Sequence, residues 1–135
     1  MKRHIINLIL FSACLFFTVS CHRGPLQSKY KHIGGYVIGK ETCHADESQD
    51  YWLVDFTYWA DTPQVGDTLV LNGRTFNNVL KINGLIERFK QIGLPISFDY
   101  QVISSNKVNT TGCDVANPVT YPLKELFIIN QGEIR

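Results

Sequence analysis

Beyond residue 32 the chain is a series of short apolar runs separated by polar or glycine-containing breaks. Residues 33–42 (IGGYVIGKET) are β-branched and glycine-spaced, and glycines inside a strand imply strong bending or close backbone approach. A polar, acidic loop follows at 43–50. Residues 51–59 (YWLVDFTYW) predict a second strand. Pro63 and Gly66 mark 60–66 as a connection. The run DTLVL at 67–71 is followed by Asn72-Gly73, a strong hairpin signal, so 74–82 (RTFNNVLKI) reads as the returning strand. Leu85, Ile86, Phe89 and Ile92 stand at helical spacing and predict a helix of about two turns over 85–92, closed by Gly93. Pro95 opens the alternating run 96–104, residues 105–119 are polar and loop-like, and 123–129 (LKELFII) predict the last strand.

Five of the nine residues in YWLVDFTYW are aromatic. Alternate strand residues face opposite sides. Trp52, Val54, Phe56 and Tyr58 then form an apolar face directed at the core. Tyr51, Leu53, Asp55, Thr57 and Trp59 form the other, and Asp55 and Thr57 mark it as the wet side. Tyr51, Leu53 and Trp59 are therefore a candidate binding face. The competing reading places them under the first loop or against the long loop before the last strand.

The N-terminus adds an address. Met1–His4 is basic, and residues 5–20 are apolar without a charge, shorter than the ~20 residues a spanning helix needs. Thr18-Val19-Ser20-Cys21 resembles the lipobox of bacterial lipoproteins, although Thr18 stands where leucine is commonest. The resemblance implies a signal peptide over 1–20, lipidation of Cys21, and a lipid anchor in the outer membrane facing the periplasm. Residues 21–32 then form a flexible tether, and 33–135 a single small domain.

Of four cysteines, Cys14 leaves with the signal and Cys21 carries the lipid. Cys43 and Cys113 remain, an even pair in an oxidising compartment, which predicts a disulfide. A metal pair with His44 is the alternative, but no CxxC or fourth ligand supports structural zinc. Charge bears on partners. Removing Lys2 and Arg3 from the 13 basic residues leaves 11 against 12 acidic ones, a net of −1 with no basic run. That balance argues against a nucleic-acid partner. His44, Asp46, Glu47 and Asp50 match no calcium loop, and no nucleophile motif accompanies His44. No cofactor and no catalytic residue are expected.

The order strand, strand, bent strand or hairpin, short helix, strand, long loop, strand resembles the OB-fold, a five-stranded Greek-key barrel with a helix between its third and fourth strands. A small β-sandwich is the rival. The resemblance implies a binding surface on strand two, where OB-folds stack bases or sugars. The expectation is a non-enzymatic, lipid-anchored envelope module with a small-molecule or protein partner. The alternative is an accessory subunit docked to a larger envelope complex.

Overall fold

The structure, a computed structural model, describes residues 31–134. The lipobox, Cys21, the signal segment and most of the tether lie outside the described residues. The described chain is mainly β. Six strands form one sheet: β1 (Lys31–Lys40), β2 (Trp52–Asp55), β3 (Asp67–Leu71), β4 (Arg74–Ile82), β5 (Pro95–Val102) and β6 (Glu125–Glu133). Their order is β2-β1-β5-β6-β4-β3, and β2 pairs with β4 as well. Hydrogen bonding therefore passes from β1 to β2, β4, β6, β5 and back to β1, with β3 attached to β4 alone. Only the β4–β6 pairing is parallel.

The long strands serve two partners each. The first half of β1 pairs with β5, through Lys31 to Tyr36, and the second half pairs with β2, with a register shift between Val37 and Gly39. Glycine permits this bend. A Cβ on Gly35 would stand 2.7 Å from Val54 Cγ1 and 2.9 Å from the Asp55 carbonyl, so no larger residue fits. The hairpin between β3 and β4 turns at Asn72 and Gly73, with φ of 51° and 76°. Two successive residues with positive φ are what a two-residue hairpin matching the strand twist requires.

The expected helix over 85–92 does not form. A single 3-10 turn, Glu87–Phe89, stands there instead. Leu85 and Phe89 turn into the core, whereas Ile86 and Ile92 are exposed. Eight residues between two glycines are too few to repay helix nucleation. The backbone bonds to β1 instead: the Gly93 amide donates to the Val37 carbonyl at 2.7 Å, and the Val37 amide to the Leu94 carbonyl at 3.1 Å. β6 runs further than its apolar run implied, through Asn130 at φ 51°, opposite a register shift in β5 between Ser97 and Asp99.

Two apolar clusters result. The larger holds Trp52 and Val54 from β2 and Phe56 just beyond it, with Ile33, Leu80 and Phe98 among others. This is the inward face that alternation predicts. The smaller lies on the opposite side of β2, where Leu53 packs with Leu69, Val79 and Leu123. The Cys43–Cys113 disulfide is formed. It ties the long loop between β5 and β6 to the end of β1, beside an antiparallel bridge between Thr42 and Val119.

Candidate functional site

The three residues read as a binding face do not form one. Leu53 is fully buried, a correction to the expectation of an outward, wet position. Leu69 from β3 and Leu123 from the loop before β6 close over it. Tyr51 is half-buried, lies under the Lys81 ammonium at 4.7 Å, and donates its hydroxyl to Glu125 at 2.5 Å. Burial first, then the carboxylate of Glu125, pushes the Tyr51 phenol up to about 12. Trp59 alone is open, at 40% exposure. Tyr58, expected to face the core, is only partly covered and packs on Tyr36 at 5.1 Å. Strand β2 ends at Asp55, so alternation no longer governs residues 56–59.

A different surface brings outward rings together. Along β1, His32, Gly34, Tyr36 and Ile38 share the outer side. Trp59 lies across Gly34, where a Cβ would stand 3.1 Å from its ring. The rings then run in sequence: His32 to Trp59 at 5.9 Å, Trp59 to Tyr58 at 5.6 Å, Tyr58 to Tyr36 at 5.1 Å. Asp99 orients His32 through Nδ1 at 2.9 Å. Hydrogen bonds from Asn130 and then His32 hold the Asp99 carboxyl below its usual range.

The row of rings ends at a cleft of about 440 Å³, lined by Tyr36, Asp55, Thr57, Arg74, Phe76 and Ile92 among others. Each wall has a local cause. The hairpin turn at Asn72-Gly73 sends β4 back with Arg74 and Phe76 at its start, and the guanidinium rests 4.9 Å over the Phe76 ring. Asp55 sits opposite Tyr36 at the last pair between β1 and β2. The failed helix brings Ile92 and Gly93 to the third side. Asp55 is 6% exposed. The Thr57 hydroxyl donates to its Oδ2 at 2.6 Å, while its Oδ1 has no hydrogen-bond partner. A buried carboxylate oxygen without a donor is costly.

The remaining polar clusters bond mostly within themselves, although Asp50 Oδ2 is buried without a partner. Asp50 is buried and accepts the backbone amides of Cys43 and His44, each at 3.0 Å, together with the His44 ring nitrogen at 3.1 Å. Asp46 caps the 3-10 turn Glu47–Gln49 through the Ser48 amide. Among the described residues no group of three or more His, Cys, Asp or Glu side chains is placed to hold a metal ion. Glu41 and Lys81 form a fully buried pair at 3.7 Å. Thr110 bridges them, donating to Glu41 and accepting from Lys81, and the Tyr121 amide donates to Glu41 at 2.7 Å. This network pins the long loop and leaves neither charge free.

Comparison with protein-family models, curated proteins and solved structures finds no match for this chain. No relative's activity carries over, and the cleft must be read from its own chemistry. Sequence reasoning named Trp59, which is exposed, and did not name Tyr36, Arg74 or Phe76. The alternation His32, Gly34, Tyr36, Ile38 was legible in β1.

Proposed function

We propose that this protein is a non-catalytic binding module of the cell envelope, held to the membrane by a lipid on Cys21, with its ligand in the cleft beside Tyr36. The domain is read as an OB-fold-like barrel carrying one additional strand, β3. The closed path of pairings through β1, β2, β4, β6 and β5, with its single parallel step, supports that reading. The disulfide supports an oxidising compartment, in agreement with the lipobox-like residues Thr18-Val19-Ser20-Cys21.

One observation carries the binding function: a cleft of about 440 Å³ sets the aromatic residues Tyr36 and Phe76 beside the charged residues Asp55 and Arg74. Concave sites with apolar walls and a few convergent polar groups are the usual form of a small-ligand site. The test is retention. The protein is exposed to a cell-envelope extract, washed, and its bound small molecules are identified by mass spectrometry, beside a Tyr36→Ala, Arg74→Ala variant. A species enriched on the wild type and lost from the variant is the expected result. Equal profiles for the two proteins refute the reading.

A second reading has its own support. Val70 is 63% exposed on β3, a strand that pairs with β4 alone. An accessory subunit docked through that edge would use it for strand addition. A partner protein lost on Val70→Lys, with no small molecule retained by the cleft, would favour this second reading.

A further inference from the structure

We propose that the end of the domain where the tether joins it docks on an anionic phospholipid surface. Val102 and Ile103 enter the headgroup boundary, and Lys31, Lys107 and Lys124 meet its phosphates. The inference rests on the lipid anchor proposed above and assigns the face that the anchor brings to the bilayer.

Tether length is the first argument. Residues 22–30 separate Cys21 from Lys31, the first residue of β1. Ten residue steps (31 minus 21) span at most about 36 Å. A domain of about 100 residues has a radius of gyration of about 13 Å, and hence a diameter of about 34 Å. The far side of the domain therefore reaches the bilayer only over a tether drawn nearly straight, and the end carrying Lys31 is held nearest to it. A surface too small to bind a membrane from solution suffices when a lipid already keeps it there.

What that end exposes is the second argument. Lys31 pairs with Tyr100, and β5 runs on past this pair through Val102. The Ile103 amide continues the ladder, donating to the Glu125 carbonyl at 3.2 Å. Val102 and Ile103 are 36% and 57% exposed. Lys31, Val65 and Val102 line one groove of about 200 Å³. Two adjacent apolar side chains fall short of what a stable protein interface buries. Beside a covalent anchor they are enough to enter a headgroup boundary.

Charge is the third argument. The ammonium groups of Lys107 and Lys124 share the Asp67 carboxylate, at 4.0 and 3.8 Å. Lys124 also donates to the Val65 carbonyl at 3.4 Å, which sets it beside the groove. With Lys31, three ammonium groups stand against one carboxylate. The other carboxylates of β5 and β6 do not alter this balance. Glu125 accepts the Tyr51 hydroxyl, Asp99 is bonded to His32 and Asn130, and Glu133 lies at the far end of β6, opposite Ile96. Basic groups beside exposed apolar side chains suit an anionic lipid surface, where lysine stems lie along the apolar boundary. Tyr36 is five residues along β1 from Lys31, about 17 Å at strand rise, so docking leaves the cleft clear of the headgroups.

The lipidated protein is reconstituted into vesicles of phosphatidylethanolamine and phosphatidylglycerol, with and without bromine on the acyl chains. Flotation with the vesicles establishes the anchor. Ile103→Trp adds a fluorophore at the proposed contact. Val119→Trp adds one at another exposed position, bridged to Thr42 just past the other end of β1. The wild type supplies the background of Trp52 and Trp59. The emission added by Ile103→Trp shifts to the blue and is lost on brominated chains, whereas that of Val119→Trp is kept. Adding Lys31→Glu and Lys107→Glu to Ile103→Trp restores the emission while the protein still floats. Melting curves establish that the variants are folded. If the charge reversal is not, phosphatidylcholine in place of phosphatidylglycerol makes the same test from the lipid side. Flotation without quenching at position 103, equal quenching at 103 and 119, or quenching that persists once the charge is removed overturns the docking and leaves the anchor standing. A protein that does not float removes the anchor, and the docking with it.

Discussion

Leu53 and Trp59 lie six positions apart on what strand parity makes one face, yet one is fully buried and the other 40% exposed. Parity places Leu53 outward with respect to the main core, and that much is correct. Leu69 and Leu123 then cover it from outside. Parity says nothing of Trp59, because the strand ends at Asp55. Truncation separates the two positions. Leu53→Ala should cost about 2–5 kcal/mol, since it opens a cavity that neighbours on two elements cannot both fill. Trp59→Ala should cost about 1 kcal/mol, because it removes edge contacts with His32 and Tyr58 and leaves Gly34 uncovered. Thermal melts of both variants check this, and an equal or reversed order would place Trp59 in the core.

Among the elements, β4 does the most positioning. Its first half pairs with β3, its second half with β2, and its end with β6. At the crossover sits Asn78, a buried polar residue just before Val79 and Leu80. Its amide nitrogen donates to the carbonyls of Phe56 at 3.3 Å and Pro63 at 3.0 Å, and its oxygen accepts the amides of Val65 at 3.0 Å and Gly66 at 2.7 Å. One side chain therefore closes the connection between β2 and β3. Gly66 completes the closure, since a Cβ there would stand 2.5 Å from the Asn78 backbone. Asn78→Ala leaves these backbone groups unpaired, at a cost of about 1–3 kcal/mol. Hydrogen exchange should show Val65 and Gly66 losing protection while Leu80, in the same strand, keeps it. Uniform loss across β4 would mean that Asn78 supports the strand rather than the connection.

At the scale of the whole molecule, the stretch between β5 and β6 is long and polar, and it is fastened at three places. The disulfide joins Cys113 to Cys43. The Asp114 amide donates to the Cys43 carbonyl at 2.9 Å, beside the bridge from Thr42 to Val119. The Glu41–Lys81 pair takes Thr110 and the Tyr121 amide from the same stretch. The crosslink spans a sequence separation of 70, and closing a loop of that size contributes about 4 kcal/mol in the chain-entropy picture. The Cys43→Ala, Cys113→Ala variant should lose most of that in urea unfolding while keeping its native strand content, because the other two fastenings persist. A variant with undiminished stability would show that the unfolded chain is already held compact.

The periods of the apolar runs, the Asn72-Gly73 turn and the even pair of cysteines were enough to derive a mainly β chain, most strand positions and the disulfide, because each depends on neighbours in sequence or on counting. The two-turn helix was a local expectation as well, and it failed. The hydrogen bonds that Val37 accepts from Gly93 and donates to Leu94 outweigh helical spacing in a segment that short. The burial of Leu53 depended on where β3 and the loop before β6 come to rest, and no periodicity within 51–59 carries that information. The same is true of the cleft. Tyr36, Asp55, Arg74 and Ile92 come from four parts of the chain, and only the pairing of β1 with β2 and the fold-back of β4 bring them together. Local sequence determines which face a side chain takes in its own strand, whereas tertiary packing determines whether anything covers that face.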